Sequence, residues 1–353
     1  MKIAFYAQHL TERGTSVITY DYALHNQQQL GNQSIVLYDK NAPGNDAEMI
    51  KRFAGTFELI PCDGWQSVDD ALRRESCDLL YMAKAGKNDG AVSKVAPTLV
   101  HAVFAATVRH IHGASYAYVS DWLSDLTSGG RVPWVPHMIR VGDTDDDLRA
   151  DLGIPAQARV FGCYGGKTSF DIDFARDVAI PQVLETQPDI YFLFMNITPF
   201  MDHPRVIFRP AEVDLEAKTA FINTCDAMLH ARRRGETFGL AVGEFSLRNK
   251  PVLTYGRSKE QAHLRYLGDA ALVYRAADDL VRLLSDFDKN TPSAQDTYRR
   301  LFSPAPVMQR FDTQLIQPAA DGDFDGARKR FGLRRFDPSL LLRPKVKKLL
   351  NQL

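Results

Sequence analysis

His230–Gly256 reads HARRRGETFGLAVGEFSLRNKPVLTYG, and it settles the architecture around it. The run AMLHA (227–231) leads in with strand length and apolar character; a glycine-bearing turn from Gly235 to Gly239 opens a helix; KPVLTYG closes the stretch as a buried strand. Strand, turn, helix, strand is a βαβ unit, which places its two strands parallel in one sheet. The first amides of such a helix lack intrahelical partners and, with the positive end of the helix dipole, form a ready anion site that suits a diphosphate. Glu244 lies about one and a half turns into the helix, where a carboxylate can accept both hydroxyls of a ribose, and Glu236 precedes the helix.

The same alternation of short apolar runs and helical stretches extends in both directions. Upstream of residue 140 the runs are KIAFYA, SIVLYD, FELIP, CDLLYMA, PTLVHAVF and AYVS; from 159 a new series begins with RVFGCYG, DIYFLFMN, RVIFRP, AMLHA, PVLTYG and ALVYR. Each series predicts a parallel sheet covered by helices on both faces. Between them lies the acidic stretch GDTDDDLRADLGIPAQ, which marks a hinge near 140 to 158. A chain of 353 residues exceeds what one core usually supports. We therefore expect an N-terminal Rossmann-like domain over 1–145, a second over 146–295, and a helical segment over 296–353 packing back on them.

The 43 basic and 43 acidic residues leave no global field to attract nucleic acid or a membrane. Cys62, Cys77, Cys163 and Cys225 are scattered without a CxxC pair, which predicts reduced thiols and no zinc site. MKIAFYAQHL runs directly into a strand and no 18-residue apolar run follows anywhere, so a cytoplasmic, non-spanning protein is expected. From residue 328 the end of the chain carries nine Lys and Arg against one Asp, with leucines at 340, 341, 342, 349, 350 and 353. It is either a tail packing its leucines on the domains or a weak docking surface for anionic lipid or a partner.

Several other positions offer chemistry. In RVFGCYGGKTSF, Gly165 and Gly166 allow close backbone approach and Lys167 offers a charge to a phosphate. A P-loop would need glycine at 161, where Phe161 stands. Arg159, at the start of that strand, is expected to face solvent. Gly14 and Thr15 lie in the turn between the first strand and a helix, where this fold brings a loop to its ligand edge, or they form a plain turn. The absence of GxGxxG there counts against a dinucleotide oxidoreductase. His101 ends PTLVHAVF and either projects at the carboxyl edge of the sheet or is a satisfied buried histidine; His230 also ends a strand. Asp143 to Asp147 contain Asp-x-Asp, a spacing used for divalent metals, but no strand aims it, and a solvated linker is expected.

The ordered set Glu236, Phe238, Gly239, Glu244 and Pro251-Val252 resembles the signature of the retaining family-4 glycosyltransferases, with Thr237 standing where that family usually has glycine. The resemblance implies the GT-B fold, an α/β architecture of two Rossmann-like domains whose parallel sheets face across a cleft. The N-terminal domain would take the acceptor and the C-terminal domain the donor. It implies that Glu236 and His101 are catalytic beside the donor sugar and that Glu244 binds the ribose. Thr237 and the amides of Phe238, Gly239 and Leu240 would hold sugar and phosphate. Gly165, Gly166 and Lys167 would meet the diphosphate, with Gly14 and Thr15 approaching donor or acceptor. No cofactor and no metal are expected. The expected partners are a nucleotide-sugar donor and a glycan, glycolipid or glycoprotein acceptor, with no nucleic acid. A nucleotide-sugar epimerase and a catalytically silent nucleotide-sugar binding protein are the competing readings.

Overall fold

The computed structural model describes residues 1–11 and 14–331. The expected basic tail beyond Phe331 lies outside the described residues. The described residues divide into two compact units, one formed by Met1–Met138 together with the segment from Phe302 to Phe331, the other by Ile139–Leu301.

The first unit is built on six parallel strands, β1 (Lys2–Ala7), β2 (Gln33–Asp39), β3 (Glu58–Cys62), β4 (Leu79–Lys84), β5 (Thr98–Ala102) and β6 (Ser115–Tyr118), in the order β3-β2-β1-β4-β5-β6. Helices α1 (Gly14–Leu30), α2 (Ala47–Ala54), α3 (Val68–Arg74) and α4 (Asp121–Ser128) connect or follow them. Alternation along β1 explains the layering: Ile3, Phe5 and Ala7 enter a core with Tyr22 of α1, whereas Ala4 and Tyr6 enter a second core with Val68 and Leu72 of α3. Burial on both faces is why these strands read as continuous apolar runs.

The second unit repeats the plan with β7 (Arg159–Tyr164), β8 (Ile190–Met195), β9 (Val206–Arg209), β10 (Ala227–His230), β12 (Val252–Tyr255) and β14 (Ala271–Tyr274), in the order β14-β12-β10-β7-β8-β9 and all parallel. Beside it lies a two-stranded parallel ladder of β11 (Gly235–Glu236) and β13 (Glu260–Gln261). Its helices are α5 (Ile180–Thr186), α6 (Leu215–Thr224), α7 (Leu240–Leu247), α8 (Ala262–Leu267), α9 (Ala277–Ser285) and α10 (Gln295–Phe302).

Helices α11 (Pro304–Phe311), α12 (Gln317–Ala320) and α13 (Gly326–Arg330) then return to the first unit. Val307, Met308 and Phe311 are fully buried there, with the Phe311 ring 4.7 Å from that of Tyr22. The described part of the expected third segment is thus divided between the units.

The division falls at 138/139, ahead of the expected 145/146, because the acidic stretch is no free linker. Its backbone is tied to α6: the Gly142 amide donates to Thr219 (2.7 Å), the Asp143 amide to Glu216 (3.1 Å), and Asn223 donates to the carbonyls of Thr144 and Asp146. Asp145 pairs with Arg248. Arg159 departs from expectation as well. It forms a bidentate pair with Asp189 and donates to the Ser285 carbonyl, and only 15% of its side chain is exposed.

Candidate functional site

In an open parallel sheet, ligands bind beyond the carboxyl ends of the strands where the strand order reverses. The second unit reverses at β7/β10. The residues just past those ends are Gly165–Lys167 and Ala231–Glu236, and the segments are stitched together: the Asp171 amide donates to the Ala231 carbonyl (2.9 Å) and the Arg233 amide to the Asp171 carboxylate (2.6 Å).

Glu236 sits here because β11 pairs with β13, through Gly235↔Glu260 and Glu236↔Gln261. Gly235 has φ +72°, and a Cβ on it would overlap the Glu260 carbonyl oxygen and lie 2.6 Å from Ser258 Cβ, so glycine is required. Arg232 donates to Glu236 Oε1 (2.6 Å), and His230 Nε2 lies 3.4 Å from the same oxygen. Burial alone would raise the carboxyl pKa. The His230 hydrogen bond and the Arg232 charge outweigh it and hold Glu236 at about 2, so it is a carboxylate at neutral pH.

His230 continues inward. Its Nδ1 is 2.9 Å from Thr254 Oγ1, which lies 3.1 Å from His263 Nε2, and all three side chains are buried. Burial depresses His263 to about 3, which keeps it neutral.

Gly239, with φ +100°, is the residue that caps the start of α7. Thr237 and Phe238 are buried on the approach and Leu240 opens the helix, so the first amides of α7 start four residues after Glu236. Within α7, Glu244 is buried and its Oε1 accepts from Lys218 of α6 at 2.7 Å; that ammonium stands 5.8 Å above the Tyr164 ring at the end of β7. The Gly165–Lys167 turn is pinned by Asn196, which donates to the Gly165 carbonyl (2.7 Å), and by the Thr198 amide, which donates to that of Lys167 (2.9 Å). Lys167 itself is exposed.

The first unit reverses at β1/β4, and a cavity of about 380 Å³ lies there. Tyr6 to His9, Met82 to Ala85, Thr15, Asp39, Trp65 and Asp89 are among its lining residues. Tyr6 and Trp65 meet edge to face at 5.5 Å. Lys84 is 5% exposed at the side chain. Its ammonium donates to Asp89, to the Ala91 carbonyl (2.8 Å) and to His112 Nε2 (3.1 Å). His112 Nδ1 is 2.7 Å from the His110 carbonyl, which places the ring proton on Nδ1 and leaves Nε2 to accept from Lys84.

The structure thus gathers Glu236, Thr237, Phe238, Gly239, Leu240, Glu244, Gly165, Gly166 and Lys167 in one unit, at one sheet edge. Gly14 and Thr15 belong to the other unit, where Thr15 lines the cavity and Gly14 begins α1. His101 does not project at an open edge. It has no exposed surface, its Nδ1 accepts from Tyr81 (2.8 Å), and its Nε2–H donates to the Val135 carbonyl (2.7 Å). Both nitrogens are spent inside the core, and burial lowers its pKa to about 4. Arg232, Lys218, Thr254, His263, Trp65 and Lys84 were not anticipated; only the Arg232–Arg234 triplet stands out locally, the others acquiring meaning through contacts distant in sequence.

No family model matches the chain, and no curated protein is similar to it in sequence. Solved structures are similar in fold. A complex of Anabaena Alr3699/HepE with UDP-glucose superposes with TM-score 0.66 at 15% identity, covering 89% of this chain and 99% of that one. A glycosyltransferase from Rickettsia africae ESF-5 gives 0.65 at 11%, covering 88% and 96%. A putative UDP-N-acetylglucosamine 2-epimerase from Listeria monocytogenes gives 0.54 at 11%, covering 85% and 94%. With its two six-stranded parallel sheets and these likenesses, the chain has the GT-B fold.

Proposed function

We propose that the chain is a glycosyltransferase that takes a nucleotide-sugar donor on its second unit and a sugar-bearing acceptor on its first, acting with retention at the anomeric carbon and without metal. The observation that carries this reading is the ionised Glu236, held by Arg232 and His230 four residues ahead of the first amides of α7, with Glu244 in the same helix. A carboxylate, the amides of a helix start and a second carboxylate in that order match a sugar, a diphosphate and a ribose. The UDP-glucose complex of HepE, which shares the fold, supports a nucleotide-sugar as the class of donor.

In this reading the amides at the start of α7 and Lys167 bind the diphosphate and stabilise the charge that grows on it as the anomeric carbon–oxygen bond breaks. Lys218 and Glu244 lie at the ribose. The acceptor hydroxyl oxygen bonds to the anomeric carbon, and its proton passes to the departing phosphate oxygen. Glu236 orients the sugar and offers negative charge beside the developing oxocarbenium. The β1/β4 cavity, with Trp65 as an aromatic face and Asp39 and Asp89 as hydroxyl acceptors, holds the acceptor glycan; Lys84 gives its charge to Asp89 and orders that wall.

The test is incubation with a panel of nucleotide sugars and oligosaccharide acceptors, with and without EDTA. Nucleoside diphosphate release that rises with acceptor, and a product whose anomeric configuration equals the donor's, support the reading; inversion or a strict metal requirement removes those parts of it. The fold likeness to a putative 2-epimerase keeps one rival in view. A changed sugar still attached to its nucleotide, formed without acceptor, would identify that chemistry instead.

A further inference from the structure

Thr254 stands between two imidazoles and has one hydroxyl hydrogen to give. Three arrangements of protons satisfy both bonds, but the one in which both rings donate to the hydroxyl oxygen leaves the hydroxyl hydrogen without an acceptor among the described residues, so two remain. In the first, His263 Nε2–H donates to Thr254 Oγ1, and the hydroxyl donates to His230 Nδ1. The His230 proton then resides on Nε2, aimed at Glu236 Oε1. In the second, His230 Nδ1–H donates to Thr254 and the hydroxyl donates to His263 Nε2. A neutral His230 would then turn a bare nitrogen toward a carboxylate, so this arrangement requires His230 to be doubly protonated. It also buries a second cation, with His230 only 3% exposed, against a carboxylate that Arg232 already pairs. Burying a charge where a neutral ring would serve bears a large desolvation cost, so the first arrangement is favoured.

The groups have little freedom to depart from it. Thr254 and His263 have no exposed surface and His230 has 3%, the two rings lie 4.7 Å apart, and Tyr274 ties the His230 carbonyl (3.0 Å). We propose that Thr254 and His263 are positioning residues, fixing His230 as its Nε2–H tautomer so that His230 and Arg232 together clamp the Glu236 carboxylate in one orientation. The chain of donors is a statement about the folded protein; its catalytic consequence rests on the donor-site reading above.

The experiment is nitrogen NMR of the full chain labelled in histidine, with ring signals assigned by single histidine replacements, on the parent, Thr254→Val and Thr254→Ser. The parent should show His230 and His263 each protonated on Nε2 alone. Valine, equal in shape but without a hydroxyl, should leave His230 in mixed tautomers, and serine should restore the single form. With UDP-glucose as probe, turnover in the valine variant should fall about 10- to 100-fold through misorientation of Glu236, with nucleotide affinity within about twofold, and serine should recover it. A doubly protonated or Nδ1–H His230 in the parent, or a tautomer indifferent to valine, overturns the proposal even in an active enzyme. Correct tautomers in a protein that turns over no nucleotide sugar would instead sink the donor reading and the catalytic role that rests on it.

Discussion

Gly235→Ala probes the device that places the candidate catalytic carboxylate. At φ +72° an L-residue bears about 1–2 kcal/mol of backbone strain. The added methyl overlaps the Glu260 carbonyl oxygen, part of the β13 backbone and so unable to swing aside. Forcing a methyl into filled space costs about 1–3 kcal/mol further. Together these predict a loss of about 2–5 kcal/mol, or relief by separation of β11 from β13. Either result moves Glu236, whose place depends on the pairing Glu236↔Gln261. Urea unfolding compared with the parent reads the stability; titration with a nucleotide sugar reads the site. Gly55→Ala, in the first unit and away from the candidate site, is the control, since its φ is −72° and the new methyl stands no nearer than 3.4 Å to its neighbours. Should Gly235→Ala match the parent within about 0.5 kcal/mol in both measurements, the argument that the β11–β13 ladder holds the carboxylate is refuted.

Acid should act through two groups of opposite type. His101 at about 4 and His263 at about 3 lie below the ordinary 6.5, so the unfolded chain takes up protons first and stability falls as pH drops from 6.5 toward those values, by about 1.4 kcal/mol per pH unit for each ring. Glu236, held at about 2 against 4.5, contributes stability that is present above 4.5 and lost as pH falls toward 2; urea titrations at several pH values check both windows, and a flat profile from 6.5 to 5 contradicts the buried neutral histidines. The four cysteines are buried, and burial raises Cys163 to about 12. A thiol reagent should therefore label none of them in the native protein and all of them in urea, and one rapidly labelled thiol would contradict this. Trp65→Ala should raise the KM for the acceptor saccharide while leaving nucleotide-sugar affinity unchanged. Equal losses in both would remove the cavity from acceptor binding.

The two parallel sheets were legible because strands buried on both faces show as apolar runs separated by helical stretches, and this holds from KIAFYA to ALVYR. The order Glu236, Phe238, Gly239, Glu244 was legible for a related reason: the turn, the helix start and both carboxylates lie within nine residues, so local spacing predicts their grouping. What failed depends on partners distant in sequence. His101 ends its strand as a ligand-facing residue would, but Tyr81 and Val135 occupy its nitrogens, and nothing near position 101 announces either. The acidic stretch has the exposed aspartates expected of it, but Thr219, Glu216 and Asn223 of α6 hold its backbone, and nothing local announces them. The same applies to Lys218 beside Glu244 and to Thr254 and His263 behind His230, which are 26, 24 and 33 positions from the residues they serve.

In the proposed function the β7/β10 edge of the second unit binds the nucleotide of a sugar donor. Calorimetric titration of nucleoside diphosphates in EDTA, on the parent and on Glu244→Ala, tests it most directly. Diphosphates of one base should bind the parent, and the substitution should weaken them by about 1.5–3 kcal/mol, the range for hydrogen bonds to a charged group, which is roughly 10- to 150-fold. Absence of binding by every nucleotide, or equal affinity in parent and variant, would contradict it.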